Sequence, residues 1–236
     1  METTKSKIEA YFRGLTFEEM QHEYSIENVG LPSVSKLIKL FHKPFNAEVM
    51  SNYTAIKENT TQEQVLKNWD EIREEACNRG HRVHQFAEDF VYNNNIEPIC
   101  GQEAAVVKFF AEIPEHIQII TVEPKMYHKT MMYAGTCDLL LYNRRTDKFI
   151  IVDYKTNKDI FKNYKGKTLS YPFDSLLDSP FNKYQIQLSL YQMLFEQTGF
   201  KVEERKLIWL LPDGEYKMYD TDDITKTLTA YLITRN

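Results

Sequence analysis

Residues 135–155 read GTCDLLLYNRRTDKFIIVDYK. Two apolar, β-prone runs, Cys137 to Tyr142 and Phe149 to Tyr154, flank a polar cluster, Asn143-Arg144-Arg145-Thr146-Asp147. Short runs of Leu, Ile, Val and Phe bounded by such a cluster predict a β-hairpin. Asp138 opens the first expected strand and Asp153 closes the second, so an antiparallel hairpin brings both carboxylates to one end. Side chains alternate faces along a strand, which puts Asp153 and Lys155 on one face and turns Tyr154 away. Two acids and an ammonium therefore converge on an otherwise apolar hairpin.

Hard divalent cations take carboxylate and carbonyl oxygens, and Mg²⁺ commonly takes one or two carboxylates plus water and substrate phosphate. Asp138, Asp153 and the backbone carbonyl of Tyr154 form such a set. Lys155 beside them is placed to orient or deprotonate a water, or to balance charge in a phosphoryl transition state. The plainer alternative is an Asp153–Lys155 ion pair at a solvated strand end. Apolar runs on both sides of the acids weigh against solvation.

The G-x-x-D of 135–138, followed at hairpin distance by the D-x-K-T of 153–156, resembles the PD-(D/E)xK nuclease superfamily in its RecB-like exonuclease branch. Cys137 stands where the superfamily's name has Pro, a position often degenerate in that branch. Gly80 and His84, in RGHRVH, match its G-x-x-x-H, and the resemblance implies that His84 is a metal ligand. Imidazole is softer than carboxylate and widens tolerance toward Mn²⁺. Gln187 and Tyr191, in QLSLY, match the Q-L-x-x-Y that follows the D-x-K strand. They lie about one helical turn apart on one face, so an amide and a phenol can both point at substrate phosphate or at Lys155. The segment PSVS at 32–35, opening a helix, is similar to the mitochondrial genome maintenance exonuclease group.

The resemblance covers roughly Gly80 to Tyr191. It implies a mixed central β-sheet flanked by helices, a restriction-endonuclease-like core. It also implies a Mg²⁺- or Mn²⁺-dependent nuclease acting on DNA, above all on single-stranded ends, in replication, recombination or repair. The catalytic set is then Lys155, Asp138, Asp153, Gln187 and Tyr191, with His84, Asp138, Asp153 and the Tyr154 carbonyl on the metal. Each of the helical residues has a plainer reading as well. A lone histidine is usually a surface or core residue, and Gln with Tyr is ordinary on an amphipathic helix. Glu88, four residues after His84, shares its helical face and can support the metal ligands from behind, or simply be an exposed acid. His81 is secondary, and its neighbours Arg79 and Arg82 are offset by Glu74, Glu75 and Glu88.

Residues 155–167, KTNKDIFKNYKGK, carry five lysines against the single acid Asp159, with aromatics interleaved. Lysines give salt-sensitive phosphate attraction and aromatics stack on unpaired bases. Lys158, Lys162, Lys165, Phe161 and Tyr164 are therefore the candidate nucleic-acid contacts, the alternative being a solvated loop.

The 236 residues fit one domain, read as a helical N-terminal extension over 1–60 and a core over 61–236. The hydrophobic fraction of 42% and charged fraction of 27% belong to a globular chain, and the net charge of −5 does not suggest a general nucleic-acid binder. A metal site carries its own acids, however, so a nuclease can be acidic overall. Cys77, Cys100 and Cys137 form neither a disulfide framework nor a CxxC pair. That favours a reducing cytoplasm and argues against an iron–sulfur cluster with its four cysteines; the expected setting is a bacterial or phage-infected cell. No apolar run approaches membrane-spanning length, so no membrane partner is expected. The opening METTKSKIEAYFRG lacks an apolar signal core, and its acids Glu2 and Glu9 are unlike a mitochondrial presequence.

Along the chain, a short helix is expected around Thr16 to Tyr24. A second starts at the N-cap Ser33, carries Val34, Leu37, Ile38 and Phe41 inward, and stops at Pro44. Lys36, Lys39 and Lys43 on it face either a phosphate backbone or plain solvent. Thr61 and Gln64 form a capping-box pattern for a helix whose apolar stripe runs to Phe90 and ends at Asn93-Asn94-Asn95. Gly80 within it marks a break or a close contact. Another helix covers Gln102 to Glu112. Ile117 to Met126, with Glu123 in it, and Ala134 to Tyr154 read as strands. A helix from about Asn182 to Gln197, strands over Lys206 to Leu211 and through Met218, and a helix from about Asp222 complete an α/β order.

Rival readings share the same residues. An endonuclease of DNA or RNA would use the same site. A non-catalytic nucleic-acid-binding member would have no need of Asp138, Asp153 and Lys155 together. A metal-stabilised structural protein would have no need of the basic, aromatic loop.

Overall fold

The computed structural model describes residues 3–19 and 21–234. Met20, in the middle of the helix expected at 16–24, lies outside the described residues, as does Glu2. The chain opens with α1 (Thr4–Tyr11), β1 (Leu15–Glu18), β2 (Glu23–Ile26), β3 (Val29–Leu31) and α2 (Val34–Ile38), the last continued by a 3₁₀ turn at Lys39–Phe41. Three helices follow: α3 (Ala47–Glu58), α4 (Gln62–Tyr92) and α5 (Gly101–Ala111). Then come β4 (Ile117–Val122), β5 (Lys125–Tyr127), β6 (Ala134–Thr136), β7 (Leu139–Asn143) and β8 (Lys148–Lys155). The chain closes with α6 (Pro180–Glu196), β9 (Val202–Leu210), β10 (Tyr216–Asp220) and α7 (Thr225–Ile233).

The architecture is mixed α/β. A five-stranded sheet in the order β10-β9-β8-β7-β4 is the centre, and β5-β6 and β1-β2-β3 form two smaller sheets. The hairpin expected over 137–154 is present as β7 against β8, with Leu139 opposite Val152 and Tyr142 opposite Phe149. β8 then pairs in parallel with β9, and α6 makes the crossover that a parallel pair requires. Alternation along β8 separates two cores. Phe149 and Ile151 face a cluster with Ile186, Leu190 and Leu194 of α6, whereas Ile150, Val152 and Tyr154 face Val83, Phe86, Val106 and Phe109 of α4 and α5.

Local chemistry sets several ends as expected. Ser33 and Thr61 accept the backbone N–H groups of Lys36 and Gln64, the caps of α2 and α4. Only half of the capping box forms, since the Gln64 amide reaches Asn68 instead of Thr61. Gly80 does not break α4, which runs 31 residues through it. A Cβ there would meet only Thr156 Oγ1, at 3.8 Å.

The structure corrects three expectations. Leu15–Glu18 and Glu23–Ile26 pair as antiparallel strands where a helix is expected, because the apolar residues Leu15 and Phe17, Tyr24 and Ile26 alternate with period two. The N-terminal sixty residues are accordingly helical only in portions, and they are no appendage. Ile8, Phe12, Tyr24, Leu31, Val34 and Phe41 share one core with β8 and α6. Residues 47–58, which carry no strong periodic signal, form α3 against α4.

The third correction matters most for the site. Both long strands are broken: one at Glu123-Pro124, between β4 and β5, and one at Cys137-Asp138, between β6 and β7. Glu123 has a left-handed backbone, φ 44°, and its N–H donates to the Asp138 carbonyl at 3.0 Å. The pair of strands thus divides here, β4 and β7 entering the large sheet while β5 and β6 pair apart. Asp138 precedes its strand and does not open it. Among the described residues, no helix is long and apolar enough to cross a membrane.

Candidate active site

At the fork, Asp138 lies one step beyond the last β7–β8 pair, in line with Asp153. Its Oδ2 accepts the Tyr154 N–H at 2.5 Å, and its Oδ1 accepts the His84 Nδ1–H at 3.1 Å. α4 delivers that imidazole across the sheet, and Nε2 is left as the nitrogen free to ligate, the usual division of labour in a carboxylate–histidine pair. Asp153 is 2% exposed and its Oδ2 faces the Lys155 ammonium in a close ion pair. Lys155 itself sits over the Tyr184 ring, 4.6 Å from its centroid. Tyr154 turns its ring to the opposite core, against Phe109.

The electrostatics follow from burial plus neighbours. Burial raises the Asp138 carboxyl, but the His84 imidazole, Lys155 and the Tyr154 N–H outweigh it and hold it below the usual value. Asp153 is pushed up to about 6, first by burial and then by Asp138, with Lys155 only partly offsetting them. Burial lowers His84, yet Asp138 overrides it and raises the imidazole. Burial likewise lowers Lys155, and Asp153 with Asp138 more than restores its charge.

Gln187 and Tyr191 complete the site from α6. The Gln187 amide donates to the Tyr191 hydroxyl at 2.8 Å. Burial and the charge of Asp153 keep that phenol protonated, so its O–H remains available to donate. Gly135 explains itself here. A Cβ would come within 2.7 Å of Val34 Cγ2 and 2.8 Å of Tyr191 Cε1, so only glycine lets β6 pass between α2 and the phenol.

His84, Gly135, Asp138, Asp153, Lys155, Gln187 and Tyr191, with Gly80, His81 and Ser33 to Ser35, line a cleft of about 900 Å³. His81 is exposed on its wall. Glu88 is half-buried outside the lining and acts on Glu123, whose carboxyl is raised by burial and then by Glu88 and Asp138. Glu123 was readable in the sequence only as a strand residue, although it is an acid interrupting an apolar run, the same signal that marks Asp138 and Asp153. Tyr24, whose hydroxyl pairs with Thr136 Oγ1 at 2.9 Å, and Tyr184 carried no comparable signal.

The candidate nucleic-acid loop lies outside the cleft lining, from which only Lys155 is drawn. Lys158, Lys162 and Lys165 are exposed. Tyr164 lies under Lys165 and Lys167, and Phe161 packs on Phe181 at 5.1 Å and Tyr219 at 5.2 Å. Lys36, Lys39 and Lys43 are also exposed and outside the cleft.

Among the described residues, no three His, Cys, Asp or Glu side chains stand as a ready-made metal cage. His84 is turned to Asp138 and Lys155 is turned to Asp153. The donor chemistry nevertheless suits a hard cation. The buried Asp153 carboxylate, the half-buried Asp138 carboxylate and an imidazole meet there, and burial with the neighbouring Asp138 raises the Asp153 carboxyl although Lys155 partly offsets them.

No known family's sequence model matches the chain, and no curated protein matches it. Among solved structures it is similar to one described as "Crystal structure of SSO0001", with 21% identity and a TM-score of 0.23. The match covers 44% of this chain and 42% of that one, so it spans about two fifths of that protein's length.

Proposed function

We propose that this protein is a metal-dependent nuclease with a restriction-endonuclease-like core, hydrolysing phosphodiester bonds of DNA and acting from single-stranded ends. The observation that carries this reading is the convergence of His84, Asp138, Asp153 and Lys155 with the Gln187–Tyr191 pair on one cleft. A structural ion pair between Asp153 and Lys155 accounts for two of these groups and leaves the other four without a reason to be there. The resemblance to the RecB-like branch of the PD-(D/E)xK nucleases names the same six residues. A reducing, cytoplasmic setting agrees with the three cysteines left free.

His84, Asp138, Asp153 and the Tyr154 carbonyl would hold Mg²⁺ or Mn²⁺. Such an ion supplies a bound water of lowered pKa and positive charge for the phosphate. The protein's own groups do the rest. Asp138 fixes the His84 ring through Nδ1. Asp153 and Tyr184 fix the Lys155 ammonium, which orients the attacking water and meets charge building on the phosphate oxygens. Tyr191, kept protonated and held by Gln187, donates to a phosphate oxygen of the bound strand. A cleft of this size takes a few nucleotides of a flexible strand, which fits an unpaired end.

End-labelled linear and circular single strands, incubated with Mg²⁺, Mn²⁺ or EDTA, test the reading. Metal-dependent shortening of linear strands only is expected. Cutting of closed circles would convert the reading to an endonuclease, and no cleavage under any metal would end it. Asp138→Asn and Asp153→Asn should each abolish cleavage and weaken Mn²⁺ binding by calorimetry, and unchanged metal affinity in both would remove the site.

A further inference from the structure

Next to Lys155 the sheet carries a second set of groups that the cleft does not use. Trp209 on β9 is the register partner of Lys155 on β8, and Lys217 on β10 is the register partner of Trp209. Register partners project to the same face, so the three form a row across the strands. Neighbouring strands lie about 4.8 Å apart, which sets Lys155 and Lys217 roughly 10 Å from each other with the indole between them. The Lys217 ammonium is 5.7 Å from the centre of the Trp209 ring. The indole N–H donates to the Asn157 carbonyl at 2.7 Å, which fixes the plane of the ring. Phe161 meets Trp209 edge-on at 6.4 Å and is 47% exposed, and Tyr219 packs on Phe161.

A tryptophan held in plane, half-exposed and bracketed by two lysines is what an unpaired base and its flanking phosphates require. Stacking is tolerant of sequence, and the ammonium groups answer the backbone charge. Lys217 is exposed and its ammonium stands over the ring on a flexible stem, so it can swing to a phosphate as a base arrives. We infer that Trp209, flanked by Lys217 and Phe161, is a binding subsite for an unpaired nucleotide of the strand whose scissile phosphate lies at Lys155. The inference rests on the nuclease reading for that register. The subsite's affinity for single strands does not depend on it.

The chain has two tryptophans, Trp69 and Trp209, so Trp69→Phe leaves Trp209 as the sole reporter. Octathymidylate, dT8, is titrated with Ca²⁺ in place of Mg²⁺, while a labelled dT8 reports affinity by anisotropy. Binding should quench the Trp209 emission. Lys217→Glu, an exposed change that leaves the core intact, should weaken dT8 about tenfold and reduce the salt slope by about 0.7. Unquenched Trp209 with dT8 bound, wild-type affinity in Lys217→Glu, or no dT8 binding at all would each overturn the subsite. Quenching in a protein that hydrolyses nothing under Mg²⁺ or Mn²⁺ would sink the nuclease reading and leave the subsite standing.

Discussion

Tyr184 is where the arrangement makes its sharpest demand. The ring lies under the Lys155 ammonium at 4.6 Å, and the hydroxyl donates to Asn157 Oδ1 at 2.6 Å. A cation–π contact is worth about 2 kcal/mol when the cation is desolvated, and the Lys155 side chain is only 14% exposed. Asp153 also holds the ammonium, so removing the ring forfeits part of the positioning and not the charge. Tyr184→Leu should therefore slow single-turnover cleavage about 10- to 30-fold, the rate equivalent of about 1.4–2 kcal/mol. DNA affinity should stay within about threefold, because the loss falls on the transition state. Tyr184→Phe keeps the ring and drops the hydroxyl, and should cleave within a few-fold of wild type. A readout independent of turnover is the proton spectrum of Lys155. Its ε-methylene should be shifted upfield by the ring in the wild type and in Tyr184→Phe, and return to an ordinary position in Tyr184→Leu. Equal damage from both substitutions would assign the role to the Asn157 anchor, and wild-type rates in Tyr184→Leu would refute the argument altogether.

Three further outcomes are expected. Lys155→Ala should slow single-turnover cleavage by about two to four orders of magnitude with metal and DNA binding nearly kept, and Lys155→Arg should rescue poorly; near-normal turnover would leave Lys155 a mere ion-pair partner. Gly135→Ala should cost about 1–3 kcal/mol in urea denaturation, because the new methyl overlaps Val34 and Tyr191, and an unchanged midpoint would contradict that packing. His128 gives a pH test, since its Nδ1 accepts the N–H groups of Thr130 and Met131 and burial lowers it from 6.5. As pH falls below 6.5 the unfolded chain takes up a proton that the folded imidazole refuses, so stability is lost there. In His128→Asn, whose carbonyl can accept the same two N–H groups, the thermal midpoint should fall less between pH 7 and pH 5; parallel curves for the two proteins would refute this.

The sequence alone determined the hairpin, its acids and its helix caps, because these follow from local rules. Strand alternation places Asp153 and Lys155 on one face whatever surrounds them, and Ser33 and Thr61 need only their own third neighbour to cap a helix. The pairing of Gln187 with Tyr191 likewise follows from one helical turn. What needed the tertiary structure was every relation that crosses elements. Nothing local says that the two long strands divide at Glu123 and Asp138, since that fork depends on which partner each half finds. The hairpin at 15–26 was hidden because its four apolar residues are too few for periodicity to outweigh the acids between them. Tyr184 is an ordinary tyrosine until β8 sets Lys155 above it. Trp209 and Lys217 stand 54 and 62 residues beyond Lys155 in the chain, and only strand register makes them its neighbours. Register between distant strands is fixed by packing of both sheet faces at once, a global condition that no window of sequence contains.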